Sequence, residues 1–297
     1  MRCLNLKITY NCTNQCIFCF SSYLKNIEIP FEKLKEAVIK GYDNGCRELV
    51  LSGGEPTLHP YHIMELLNIA ESLGYSKYII QTNGYGLSNN VKLVSFLKKM
   101  AETKEICISF SVHGHISDIH NELCGNLDAF KLLIAALENI KHTPCSIYTN
   151  TVINTSNIKH LKDISLLLKQ YSPKIMQFSM MHLKEKNELT VSLYEAVMEI
   201  RHISELVGTD VLKTEGIPYC LMHKMEYCVS ESSWPAVLDI YNNVDKYMRD
   251  FNPLDYGMRK KLISCGRCIM DKICMGVWKE HFEEFSEMNI HPIEYQG

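Results

Sequence analysis

No stretch of this chain has the ~18 consecutive apolar residues that a membrane-spanning helix needs, although 46 % of its 297 residues are hydrophobic. That argues against a helical membrane protein. The opening residues, MRCLNLKITYNC, lack the charged-then-apolar layout of a secretory signal, and we expect a cytoplasmic protein. Positive charge is not in excess either: 31 Lys and Arg stand against 34 Asp and Glu, for a net charge of -3. A surface built to coat nucleic acid needs a basic excess, so no nucleic-acid partner is expected. Internal repeats and low-complexity tracts are also missing.

What the chain does have is cysteine, thirteen of them. A reducing compartment keeps thiols free, so a disulfide framework is not the expected use. Two groups stand out: Cys12, Cys16 and Cys19 near the start, and Cys220, Cys228, Cys265, Cys268 and Cys274 near the end. The others are Cys3, Cys46, Cys107, Cys124 and Cys145. Several of these lie in apolar, strand-like runs, where free cysteine packs as a small hydrophobe.

Residues 1–185 alternate between strand-like and helix-like runs. LNLKITY, ELVLS, YIIQT, ICISFSV, SIYTNTVI and IMQFSMM read as strands. Between them, runs such as PFEKLKEAVIKGYDNG and HIMELLNIAESLG carry helical spacing, with Pro near the start and Gly near the end. Six successive β/α units with short connections predict a parallel sheet with helices outside. Six are fewer than the eight of a closed barrel. The expected fold is therefore α/β, a partial (β/α)6 barrel over residues 1–187. A long linking helix follows over 188–215, then a small cysteine-rich extension over 216–297. Trp278, Phe282 and Phe285 recur at spacings of four and three, which predicts that they share a helix face.

Three thiols between residues 12 and 19 directly follow the first strand, at the sheet end where ligand sites gather. Soft thiolates suit an iron–sulfur cluster. Three ligands leave one iron of four without a protein partner. Zinc, borrowing a ligand from elsewhere, is the competing reading. The pattern Cys12-xxx-Cys16-xx-Cys19, with Phe18 beside the last cysteine, resembles the signature of the radical SAM superfamily. That resemblance implies a 4Fe–4S cluster on these three cysteines, with S-adenosylmethionine at the open iron. It also implies chemistry: one electron cleaves the cosubstrate to a 5′-deoxyadenosyl radical, which takes a hydrogen atom from substrate.

Further segments carry the same resemblance. Gly53-Gly54-Glu55-Pro56 follows the second strand and is similar to the family's GGE segment, which receives the cosubstrate's amino group. Glycines at a strand end allow close backbone approach. Asn83 in TNG, Ser109 and Ser111 in the fourth strand, and Asn150 in the fifth end their strands with small polar groups. The resemblance makes them cofactor contacts, while turn or cap chemistry is the plain alternative. His113 and His115 flank Gly114 and are read first as loop histidines. His59 in TLHP shapes its loop, and Met180 and Met181 are read as core or pocket wall.

Cys265, Cys268 and Cys274 form a CxxCx5C run, a metal signal that needs a fourth ligand. Cys220 and Cys228 are the candidates, and Cys220 is favoured because Gly-Ile-Pro before it makes a stiff turn. The spacing resembles part of the SPASM or Twitch motif, which implies one auxiliary 4Fe–4S cluster, with zinc as competitor. The expected partners are an electron donor such as flavodoxin or ferredoxin, and a peptide or small-molecule substrate. Peptide maturation is placed first. With the cysteine loop so near the start, we expect peptide recognition by a separate partner or on the barrel mouth. A metal-binding electron carrier or sensor without radical chemistry is the alternative of another class.

Overall fold

The computed structural model describes residues 2–19, 21–25, 27–182, 186–233, 236–240, 249–250, 257–288, 290 and 292–293. Trp234 and the last residues of the tail, both within the expected extension, lie outside the described residues. The chain divides into two units.

The first unit comprises residues 1–149, 170–174 and 235–251. Its strands are β1 (Arg2–Thr9), β2 (Cys46–Gly53), β3 (Lys77–Thr82) and β4 (Glu105–Ser111), with helices α1 (Phe31–Asp43), α2 (Pro60–Leu73), α3 (Tyr85–Asn89), α4 (Val91–Met100), α5 (Ser117–Cys124) and α6 (Ala129–Lys141). Neighbouring strands run β4-β3-β2-β1 and pair in parallel, with Leu4 opposite Leu49, Leu49 opposite Tyr78 and Tyr78 opposite Ile106. A short strand β8 (Ala236–Ile240) adds to the other side of β1, also parallel, and β9 (Arg249–Asp250) pairs antiparallel with β8.

Side-chain alternation explains why these runs form strands. Leu4, Leu6 and Ile8 of β1 are buried, while Asn5 and Lys7 between them stay partly exposed. Lys7 Nζ donates to Asn5 Oδ1 and to Ser52 Oγ on the next strand. The helices obey the 3.6 period. Leu34, Ala37, Val38 and Gly41 make the buried stripe of α1, and Ile63, Leu66, Leu67 and Ala70 that of α2. Because the strands are parallel, the loops after β1, β2, β3 and β4 leave one edge of the sheet together.

The second unit comprises residues 150–169, 175–234 and 252–297. Strand β5 (Ser146–Ile153) starts in the first unit and ends in this one. β6 (Ile175–Met180) and β7 (Leu212–Glu215) follow, paired in parallel, with Ser179 opposite Glu215. α7 (Leu161–Lys169) and α8 (Leu193–Val207) bury Leu161, Ile164, Leu168, Ala196, Ile200 and Ile203. A hairpin-like pair, β10 (Arg259–Lys260) and β11 (Val277–Trp278), sets Arg259 opposite Trp278. α9 (Phe282–Glu287) is the last helix of the described residues.

Three local readings change. The NGYG turn after β3 opens a short helix, α3, because Gly84 at φ +95° reverses the chain at once into helical geometry. The long linking helix is the fifteen-residue α8, and β7 follows it as a strand that four residues were too few to reveal. The tail is not one amphipathic helix: Trp278 sits on β11, a 3-10 turn follows, and Phe282 and Phe285 belong to α9. No helix among the described residues is long and apolar enough to cross a membrane.

Candidate functional site

The loop after β1 carries Cys12, Cys16 and Cys19, and all three thiols are partly exposed. Each sulfur has a donor nearby. The Asn14 amide N–H donates to Cys12 Sγ at 3.4 Å, and Asn83 Nδ2 lies 3.6 Å from the same sulfur. Ser21 Oγ is 3.5 Å from Cys19 Sγ, and Cys16 shares a side-chain hydrogen bond with Cys124. Burial pushes the Cys12 thiol up to about 11. The charges of Glu55, Cys16 and Cys19 add to the rise, against the Asn14 amide. Three thiols and a carboxylate that repel one another's negative charge make a donor set that a cationic group would relieve. A metal binds such thiols by displacing their protons.

The segment after β2 is fitted to this loop backbone to backbone. Gly54 N donates to Thr9 O at 2.7 Å and Glu55 N to Asn11 O at 2.8 Å. A Cβ on Gly54 would lie 2.2 Å from Asn11 O, so only glycine admits the approach. Gly53, at φ +126°, turns the chain there. These glycines thus bring the strand end against the cysteine loop itself.

Glu55 is fully buried. Its carboxylate accepts from Thr57 N, Thr57 Oγ1 and Thr82 Oγ1 on one oxygen, and from Asn83 N on the other. Burial raises its pKa, and those hydrogen bonds pull it back. The side chain ties the ends of β2 and β3 together. Asn83 extends the tie, donating to Thr13 Oγ1 at 3.1 Å. Ser109 and Ser111 share the partly exposed face of β4.

His113 and Phe18 meet edge to face, with ring centroids 4.7 Å apart. Burial holds His113 down to about 3, so it is neutral at ordinary pH. His59 stacks on His62.

In the second unit, Asn150 faces Ser179, whose Oγ lies 2.7 Å from Asn150 Oδ1 and 2.9 Å from Glu215 Oε2. Met180 and Met181 are buried, and His182 stacks on Trp278 and pairs with Glu280 at 3.1 Å. Arg259 and Glu231 form a buried ion pair at 2.7 Å. Cys220, Cys265, Cys268 and Cys274 line one cavity, together with Tyr219, Met270 and Phe285. Burial, then Cys274 and Cys265, push Cys220 up to about 12. Cys228 is fully buried apart from that cavity lining, and its thiol donates to Thr209 O.

Two groups near the cysteine loop escaped sequence reading. Cys124 reads from the sequence as one of the packing cysteines, and His120 stands in no motif. The available signal was their spacing of four, one helical turn. The Glu215–Ser179 contact had no sequence signal, since it joins two strands 36 residues apart.

Comparison with known proteins gives these arrangements a context. An uncharacterized protein of Methanocaldococcus jannaschii is 28 % identical over 203 residues, 64 % of this chain and 66 % of that protein. The S-adenosylmethionine-dependent nucleotide dehydratase RSAD2 of Danio rerio is 24 % identical over 83 % of this chain and 66 % of its own length. The chain thus spans slightly under two thirds of these relatives. Among solved structures, anSMEcpe with bound AdoMet and a peptide matches with TM-score 0.67 at 17 % identity, over 96 % of this chain and 95 % of that one. SuiB of Streptococcus suis, bound to its precursor peptide SuiA, matches with TM-score 0.68 at 18 % identity, over 99 % and 75 %. At such identities the likeness shows the fold alone, and that fold is the expected α/β partial barrel. The sequence profile of the radical SAM superfamily matches residues 6–168, more than half of the chain, and the chain belongs to that superfamily of enzymes.

Proposed function

We propose that this protein holds a 4Fe–4S cluster on Cys12, Cys16 and Cys19, binds S-adenosylmethionine at the iron the protein leaves open, and modifies a peptide. The observation that carries this reading is the gathering at one sheet edge of three partly exposed thiols, the Gly53–Gly54–Glu55 segment and Asn83. When bound, cluster and cosubstrate supply reductive cleavage of a sulfonium bond and hydrogen-atom abstraction from substrate. The chain's own contribution is placement. Gly54 and Glu55 fix the loop from below through Thr9 and Asn11, and Glu55 holds Asn83 against Cys12. Ser109 and Ser111, and Asn150 in the second unit, are assigned to the cosubstrate's polar groups.

A second 4Fe–4S cluster is assigned to Cys220, Cys265, Cys268 and Cys274. The four thiols around one cavity, with Cys220 raised by burial and by its neighbours, support it. Four protein ligands leave no open iron, which favours an electron-transfer role. Zinc suits the same donors. Flavodoxin or ferredoxin is the proposed electron donor, and the cytoplasm the proposed compartment. The peptide substrate is supported by the fold likeness to anSMEcpe and SuiB, both described with bound peptides. A nucleotide substrate is the second reading, because the alignment with the nucleotide dehydratase covers 83 % of this chain.

The test is anaerobic reconstitution, dithionite reduction with S-adenosylmethionine, and mass spectrometry of 5′-deoxyadenosine, beside a Cys12→Ala, Cys16→Ala, Cys19→Ala variant. The parent should form 5′-deoxyadenosine, the variant none, and about eight irons should be bound per chain. About four irons would reassign the second site to zinc. A fully loaded parent that forms no 5′-deoxyadenosine would make the carrier or sensor reading the better one. Added nucleoside triphosphates or peptides that raise the rate decide the substrate.

A further inference from the structure

Cys16 is held between two hydrogen bonds to the end of α5. The amides on either side of it, Gln15 N–H and Ile17 N–H, donate to Cys124 O at 2.8 Å and Leu123 O at 3.1 Å. Asn126, just past the helix, donates from Nδ2 to Asn14 Oδ1 at 2.8 Å. These contacts set the Cys16 sulfur against that of Cys124, with which it shares a side-chain hydrogen bond.

The direction of that bond follows from the groups behind it. His120 precedes Cys124 by one helical turn, and both are 1 % exposed. The backbone N–H of His113 reaches His120 Nδ1 at 3.2 Å. An amide N–H only donates, so Nδ1 is an acceptor. Burial holds His120 down to about 4, which leaves the ring neutral with a single N–H. That hydrogen therefore sits on Nε2, 3.4 Å from Cys124 Sγ. Cys124 accepts it and turns its own S–H outward, to Cys16. The chain of donors runs one way: His113 amide, His120 ring, Cys124 thiol, Cys16 sulfur.

We propose that Cys124, oriented by His120, is a positioning residue for the iron–sulfur centre: its S–H donates to the Cys16 sulfur and makes the centre easier to reduce. This rests on the reading of Cys16 as a cluster ligand. A donor on a ligating sulfur draws off negative charge, and reduction adds negative charge, so the donor favours the reduced form. The neighbouring sulfurs of Cys12 and Cys19 meet the Asn14 backbone N–H and the partly exposed side chains of Asn83 and Ser21. Cys16 takes its donor from a side chain that is itself buried and oriented from behind.

The test is a redox titration of the reconstituted full chain, followed by electron paramagnetic resonance on the signal that responds to added S-adenosylmethionine. Cys124→Ala should make reduction about fivefold less favourable, a midpoint ~40 mV more negative at 59 mV per tenfold for one electron. Cys124→Ser keeps a donor and should recover most of the shift. His120→Leu should move the midpoint the same way, and His120→Gln, which can still accept and donate, should not. A loaded Cys124→Ala protein with the parent's midpoint overturns the proposal, even if it binds less iron, because a purely structural role lowers loading alone. Should Cys124→Ala take up no iron, His120→Leu is judged by the same criterion. A parent with no such signal overturns the functional reading first, and this proposal with it.

Discussion

Glu215 ends β7 with one carboxylate oxygen shared by Gln177 Nε2 and Ser179 Oγ. Ser179 has one hydroxyl hydrogen, and Asn150 Oδ1 also stands ready to accept it. A protonated Glu215 would satisfy all of these groups by donating to Ser179, which agrees with burial pushing its pKa up. The raised folded value sets the sign. Its contribution to stability is fully present below the ordinary glutamate pKa and is lost as pH rises through the raised one. Glu215→Gln removes the charge while keeping an acceptor. Its urea midpoint should exceed the parent's at pH 7, with the difference closing as pH falls toward about 4.3, the ordinary glutamate value. A variant less stable than the parent at neutral pH would show that the charged form is the one the site stabilises.

At the scale of elements, the cysteine loop takes its position from the ends of its neighbours: β2 through Gly54, β3 through Asn83 and α5 through its last carbonyls. Gly54→Ala puts a methyl group where Asn11 O now sits. The strand end or the loop must then move, at a cost on the order of 2–4 kcal/mol. Iron bound at the loop should fall well below the parent's, while α-helical circular dichroism persists. Equal iron would mean that the loop can shift without losing its ligand geometry. These elements were mostly legible in the sequence, since strands repeat every two residues and helices every 3.6. β1 to β6 and the glycines of the GGE segment were visible for that reason. The two-residue strands β10 and β11 were not, because a strand so short has no period to read. Nor was the link from His120 through Cys124 to Cys16. Its partners lie more than 100 residues apart, and only folding brings the thiols together.

At the scale of the whole molecule, the two units carry one cysteine group each. In the second, the thiols that line the cavity span Cys220 to Cys274, so a metal there would close a long loop and its binding energy would add to folding. Cys274→Ala should therefore lower the thermal midpoint of the metal-loaded protein by several degrees and leave the metal-free midpoint nearly unchanged. A drop of equal size without metal would assign Cys274 to packing instead. The docking of the first loop on α5 carries a different consequence, in the order of synthesis. The thiols at 12–19 are translated early, but the helix end that seats them comes about 100 residues later, a wait on the order of 5–20 s at ordinary elongation rates. Through that interval the thiols have no α5 beside them, and any metal they meet is met by a floppy peptide. The loop becomes a shaped receptacle only once residue 124 has joined the fold, so loading of the first unit belongs after translation of that segment, not during it.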